Sequence, residues 1–170
     1  GIRGYDVETL WEAVKHGANA AHPHVPSSGR LGWDWYNRLG YVPCDVGINE
    51  SAARTLEYAY DDWCIYTLGK ALGKSEDEIG VYRERALNYR NLYRQEVSLM
   101  SGRKADGKFP ENFSPLKWGG DFTEGNALHY TWSVFHDPAG LIELMGGDDA
   151  FNANLDKVFE IPPHFDDSYY

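Results

Sequence analysis

From Trp118 to Trp132 the chain reads Trp118-Gly119-Gly120-Asp121-Phe122-Thr123-Glu124-Gly125-Asn126-Ala127-Leu128-His129-Tyr130-Thr131-Trp132. Two carboxylates, an amide and an imidazole stand among aromatic rings. That mixture suits a pocket that recognises a polar substrate and moves a proton, because flat apolar faces cover sugar C–H surfaces while a few directed groups make hydrogen bonds. Gly119 and Gly120 free the backbone to turn before Asp121, and Gly125 permits a close approach to Glu124. The same residues also fit a plain helix start capped by Asp121 or Thr123, with the rings packed inside. Composition leaves both readings open.

The elements that must position this stretch are helical. Asp6 caps a first helix running to about Asn19, with Leu10, Ala13, Val14 and Ala18 on one face. A loop follows over His22 to Arg30; His22 and His24 have the reach to share a metal, although an exposed polar loop is the simpler reading. A short helical turn near Asp34 to Arg38 precedes Gly40-Tyr41-Val42-Pro43. The clearest helix runs from about Ser51 to Leu72 on a broad apolar stripe that includes Leu56, Ala59 and Cys64, the last expected as a buried thiol. Asp61 and Asp62 lie about 100° apart on it, so they cannot both face one small ligand; a solvent-facing pair or a tertiary salt bridge is expected.

Ser75 and Glu78 have capping-box spacing, and Ile79, Tyr82, Ala86, Tyr89 and Tyr93 carry a helical period to roughly Glu96. The expectation is a pair of long antiparallel helices. Residues 98–122 break into a long polar loop with Gly102, Gly107, Pro110 and Pro115, the kind of segment that carries binding residues. Helical reading resumes from Thr123 to Val134 or Phe135. Asp137-Pro138 then starts a helix that Gly146-Gly147 stops, and a last one spans about Asp149 to Phe159. No segment shows strand periodicity, so the fold class is all-α, built of antiparallel helical hairpins.

At 170 residues the chain holds one domain with a real core and no second complete domain. Its formal charge of −10 repels phosphate backbones, and no basic stripe with interleaved aromatics occurs, so nucleic acid is not an expected partner. No apolar run is long enough to cross a bilayer, and the first residues do not read as a signal peptide. Cys44 and Cys64 form neither a disulfide framework nor a CxxC metal site. Nucleotide-loop, HExxH, calcium-hand and GxSxG motifs are all absent from the sequence.

Several stretches together resemble the glycoside hydrolase family 92 α-mannosidases. They are Leu39-Gly40-Tyr41-Val42-Pro43, Thr55-Leu56-Glu57-Tyr58-Ala59-Tyr60-Asp61-Asp62-Trp63, and Arg85-Ala86-Leu87-Asn88-Tyr89-Arg90-Asn91. Trp118-Gly119-Gly120, Thr123-Glu124-Gly125-Asn126, Tyr130-Thr131-Trp132 and Gly140-Leu141-Ile142-Glu143-Leu144-Met145-Gly146-Gly147 extend the match from Val7 to Phe159. The resemblance implies a middle portion of an (α/α)6 toroid, in a longer protein with an N-terminal β-sandwich. It implies exo-acting, inverting, calcium-dependent hydrolysis of α-linked mannosides, including α-1,2 linkages, on oligosaccharides or glycoprotein glycans. A secreted, periplasmic or cell-surface location follows from the same likeness. Glu124 matches the family's catalytic acid, whereas the base belongs to a motif beyond this segment and does not transfer to Asp166 or Asp167. Asp121, Asn126, His129 and Trp118 are candidates to bind substrate or orient Glu124; metal ligands are not assigned. Leu128 and His129 depart from the tryptophan and glutamine of many relatives. A glycan-binding or purely structural helical segment is the alternative.

Overall fold

The computed structural model describes residues 4–25 and 29–162. The loop expected over residues 26–28, and Asp166 and Asp167, lie outside them. Seven α-helices are described: α1 (Val7–Asn19), α2 (Trp33–Leu39), α3 (Ser51–Ala71), α4 (Glu76–Arg85), α5 (Ala127–Tyr130), α6 (Pro138–Met145) and α7 (Asp148–Glu160). A 3-10 turn (Asn88–Leu92) and a two-stranded antiparallel ribbon, β1 (Tyr93–Arg94) with β2 (Leu99–Met100), lie between α4 and α5. The fold is thus largely helical rather than purely so.

Helix α3 is the spine. Its C-terminal half packs against α1 and α4 around Trp11, Ala18, Ile65, Ile79 and Tyr82. Its N-terminal half packs on the 3-10 turn, the ribbon and the segment from Phe122 to Val134 through Ala52, Leu56 and Ala59. Leu56 and Trp11 are essentially inaccessible to solvent, and burying a side chain such as Leu56 contributes about 1.5–3 kcal/mol. Close approach of the three helices requires Gly69, where an added Cβ would lie 2.6 Å from Ile79 and 2.9 Å from Trp11.

Helix α1 starts where expected, with Asp6 accepting a hydrogen bond from the Thr9 amide. Its buried face is set by Trp11 and Ala18, while Leu10 is exposed. The indole explains the shift: Trp11 donates to Glu78 at 2.7 Å, and Lys15 reaches the same oxygen at 3.0 Å. Glu78 is therefore spent on α1, Ser75 makes no side-chain cap bond, and the anticipated capping box does not form.

Helix α4 ends at Arg85 instead of continuing to Glu96. Long-range partners override the helical period here. The Tyr89 hydroxyl donates to Asp137 at 2.7 Å, Asn91 donates to the Gly40 carbonyl at 3.1 Å, and Tyr93 pairs with Met100. Asp137 caps α6 through the Gly140 amide, with Pro138 at the first position, as its sequence indicates. The α7 helix buries no residue completely, and Phe159 is 82% exposed.

Cys64 is exposed, not buried, because it lies on the strip of α3 shared by Glu57, Tyr60 and Asp61 that neither α1 nor α4 covers. The neighbouring aspartates divide. Asp61 is exposed, whereas Asp62 is completely buried and bonded to Arg30 at 2.8 Å and to the Tyr36 hydroxyl at 3.0 Å. The Arg30 backbone is fixed beside the end of α1: its amide donates to the Ala20 carbonyl at 3.1 Å, and Ala21 pairs with Gly29 in a β-bridge.

Candidate active site

Glu124 stands on a loop, not on a helix. Its φ of 47° is left-handed, a conformation that costs a non-glycine residue on the order of 1–3 kcal/mol and ends any helix reading from Thr123. The turn is closed by the Gly119 amide donating to the Gly125 carbonyl at 2.8 Å, with both Gly119 and Gly120 at positive φ. Phe122 anchors it in the main core, its ring tilted against Tyr130 at a centroid distance of 5.2 Å, and the Tyr130 hydroxyl donates to the Thr123 carbonyl at 2.9 Å. Glu124 projects from this frame with an exposed side chain, although an aromatic surround was expected. Its carboxylate makes no hydrogen bond or ion pair among the described residues.

The helix that follows is a single turn. Its cap is Asn126, whose side-chain oxygen accepts from the Leu128 and His129 amides at 3.0 and 3.3 Å. His129 returns the bond, its Nδ1 accepting from the Asn126 amide at 3.2 Å. This reciprocal box satisfies donors that a helix start otherwise leaves open, and neither Asp121 nor Thr123 takes that part. The Trp118 ring meets His129 edge-on at 6.0 Å, so Trp118, Asn126 and His129 form one cluster behind the loop. Helix α5 stops at Tyr130 because Thr131 turns inward, donating to the Ala127 carbonyl at 2.6 Å and accepting from the Met100 amide at 2.9 Å.

Asp121 serves a different helix. The start of α3 has no side-chain cap of its own, since Glu50 lies in a left-handed conformation. The Asp121 carbonyl accepts the Ala52 and Ala53 amides at 3.0 and 3.1 Å, the Gly120 carbonyl accepts the Glu50 amide at 2.8 Å, and the Asp121 carboxylate accepts the Ser51 hydroxyl at 3.2 Å. A negative side chain at a helix N-terminus is also favoured by the helix dipole. Burial is the largest influence on this carboxyl and holds its pKa above the ordinary aspartate value, partly offset by the Ser51 bond. These contacts bolt the Glu124 loop to α3, and nothing in the local sequence pattern announces them.

Gly102 completes the bolt. A Cβ there would lie 2.2 Å from Asp121 Oδ2. Gly102→Ala is expected to lower stability by about 1–3 kcal/mol through overpacking. Thermal unfolding measures this, and the cost should shrink when Asp121→Ala is combined with it, because the two residues share one contact. Additive losses would show that the carboxylate is not what fills the space.

A cleft of about 320 Å³ is walled by Gly119, Gly120, Asp121 and Phe122 of this loop, by Cys44, Asp45, Ser101 and Lys104, and by Pro110, Phe113 and Lys117. Cys44 lines it, and burial pushes this thiol up to about 11, so it is neutral near pH 7 and no poised nucleophile. No group of three or more His, Cys, Asp or Glu side chains among the described residues is arranged to hold a metal ion. Calcium takes six to eight oxygen ligands, and the Asn126 amide oxygen is already occupied by two backbone amides. No calcium ligand is assigned among the described residues. His22 and His24 do not converge on a metal: His22 Nδ1 accepts from the His24 and Val25 amides instead.

Residues 1–169 match the glycosyl hydrolase family 92 catalytic domain. A family GH92 inverting mannosidase of Bacteroides thetaiotaomicron VPI-5482 superposes over 100% of this chain with a TM-score of 0.88 and 45% identity, using 23% of its own length. A family GH92 α-mannosidase of Bacteroides thetaiotaomicron, in complex with mannoimidazole, covers 96% of the chain with a TM-score of 0.84 at 35% identity, over 21% of its own length. An uncharacterized secreted glycosidase of Arthroderma benhamiae is 29% identical over 187 residues, 91% of this chain and 24% of that protein. The chain thus spans about a quarter of the length of these relatives. It belongs to glycosyl hydrolase family 92, of whose catalytic domain it forms a part.

Proposed function

We propose that the intact protein carrying this chain is an exo-acting α-mannosidase that cleaves terminal α-linked mannose, including α-1,2 linkages, with inversion, and that Glu124 is its general acid. The observation that carries the reading is the pairing of family membership with Glu124's placement: an exposed carboxyl, strained in backbone and without a hydrogen-bond or ion-pair partner among the described residues, on a loop held from both sides. An inverting glycosidase needs one carboxyl to protonate the departing oxygen and another, roughly 6.5–9.5 Å away, to take a proton from the attacking water. Glu124 supplies the first, and the second comes from the remainder of the toroid. As the C–O bond breaks, the Glu124 proton moves to the leaving oxygen, which departs as an alcohol.

Asn126, His129, Trp118 and Asp121 act through the backbone in this scheme. Asn126 and His129 set where α5 begins, Trp118 packs on His129, and Asp121 ties the loop to α3, so the carboxyl keeps its aim without a direct bond. Similarity to inverting and mannoimidazole-bound relatives supports the substrate and stereochemistry. The secreted relative supports action outside the cytoplasm, and no helix of the described residues is long and apolar enough to cross a membrane. The substrate is a mannose-containing oligosaccharide or glycoprotein glycan, engaged together with the remaining catalytic domain and an N-terminal β-sandwich.

Calcium is proposed as a requirement of the intact protein, with no ligand assigned among the residues described. The test is hydrolysis of α-1,2-mannobiose followed by proton NMR. The first product signal should be β-mannose, activity should vanish on chelation and return with calcium. Binding of mannobiose without hydrolysis by the calcium-loaded intact protein would select a glycan-binding role instead.

A further inference from the structure

Tyr130 touches residues on both sides of Glu124 and leaves the Glu124 carboxyl unengaged. Its hydroxyl donates to the Thr123 carbonyl at 2.9 Å, and its ring tilts against Phe122 at a centroid distance of 5.2 Å. The same ring lies so near Gly125 that a Cβ there would stand 3.1 Å from Cε2 and 3.4 Å from Cδ2. Residue order explains the reach. The Asn126–His129 box makes α5 begin at Ala127, which puts Tyr130 at the end of its single turn. Helical side chains lean towards the N-terminus, so this ring is carried back over residues 122–125, and Gly125 has no side chain to hold it off.

This grip bears on the torsion that aims the acid. The angle φ of Glu124 is defined against the Thr123 carbonyl group, whose oxygen is the atom Tyr130 holds. Because the peptide unit is planar, fixing that carbonyl in a residue with φ of 47° fixes where the Cα–Cβ bond of Glu124 points. A left-handed non-glycine residue persists only where its surroundings over-determine it. The Glu124 side chain contributes nothing to this, having no hydrogen-bond or ion-pair partner among the described residues. The Gly119–Gly125 bond of 2.8 Å closes the turn after Glu124, and the Tyr130 bond holds it before. Burial raises the phenol pKa above the ordinary tyrosine value; the Thr123 bond partly offsets this, and Glu57 and Glu50 add to the rise. The hydroxyl therefore remains a donor near neutral pH.

We infer that Tyr130 is a positioning residue for Glu124, holding through the Thr123 carbonyl and Gly125 the left-handed turn that points the carboxyl. Asn126 and His129 then act by placing Tyr130. The catalytic consequence rests on the general-acid reading above, whereas the hold on the turn does not.

In the intact protein, Tyr130→Phe keeps the ring and removes one hydroxyl. Turnover of α-1,2-mannobiose should fall about tenfold, and the loss on 4-nitrophenyl α-mannoside, whose leaving group needs little protonation, should be far smaller. Added to Glu124→Gln, the same substitution should cost nothing further, because it acts only through the carboxyl. Equal losses on both substrates, or a further loss in the Glu124→Gln background, would make Tyr130 a packing residue and overturn the inference. Hydrogen exchange followed by mass spectrometry gives a readout free of activity: the Gly119 amide should exchange about tenfold faster in Tyr130→Phe. Unchanged exchange overturns the inference whatever the rates do. If Glu124→Gln leaves mannobiose hydrolysis intact while Tyr130→Phe quickens exchange, the acid reading falls and the hold of Tyr130 on the turn stands.

Discussion

Replacing Glu124 by Gln lowers turnover of the intact enzyme on α-1,2-mannobiose by about 10²–10⁴-fold, the usual contribution of a positioned general acid. The leaving group there is a sugar alkoxide, which cannot depart without a proton. On 4-nitrophenyl α-mannoside the leaving phenolate needs little protonation, so the same substitution should cost far less. The ratio of the two losses is the diagnostic quantity, because a damaged fold would depress both substrates together. Initial rates on the two substrates, with circular dichroism to verify folding, measure it. Equal losses would remove Glu124 from the acid role. The geometry motivates the size of the effect: the carboxyl has no partner among the described residues to disturb, and Gln is close to it in shape.

Arg30→Met is expected to destabilise the folded protein by about 3–5 kcal/mol at neutral pH, because it strands the completely buried Asp62 carboxylate without its cation. The guanidinium also lies over the Tyr36 and Tyr58 rings at 5.7 and 5.1 Å, so packing is lost along with charge. Burial already holds the Asp62 carboxyl above the ordinary aspartate value, with Arg30 as the main opposing influence. Removing Arg30 raises it further. The folded state then binds a proton more readily than the unfolded state, so stability falls as pH rises from the unfolded aspartate value through the raised folded one. Urea unfolding of the intact protein at several pH values should show the deficit shrinking towards acid. The double substitution Arg30→Met with Asp62→Leu should recover much of the loss, since a buried pair can be replaced by apolar groups at little cost. A deficit independent of pH, or no recovery, would mean that packing rather than the ion pair governs this site.

Much of the scaffold was legible in residue order. Helices α1, α3, α6 and α7 begin and end within a few residues of their sequence signals, because an aspartate cap, a proline at the first turn or a left-handed glycine acts on its immediate neighbours. The segment after Arg85 was not. Tyr89 and Tyr93 continue a helical period, but their side chains belong to a core built with Leu141 and Met100, and the backbone bends to reach it. Likewise a helix from Thr123 satisfied the pattern but not the turn at Glu124, which is closed by a bond between Gly119 and Gly125. His129, a departure from many relatives in the sequence, proves to be half of a reciprocal cap with Asn126.

Membership of the family lay in the order of residues alone: a run containing Thr123-Glu124-Gly125-Asn126, amid other matching stretches, marks it wherever the chain is placed in space. What holds that run in position lay entirely in the tertiary structure. Asp121 caps a helix that begins 70 residues earlier, Gly102 leaves room for its carboxylate, and Arg30 crosses 32 residues to neutralise Asp62. Caps and periodicity arise from interactions within a turn or two and so are written locally. A hydrogen bond between distant segments depends on how the whole core packs, and no spacing in the chain encodes it.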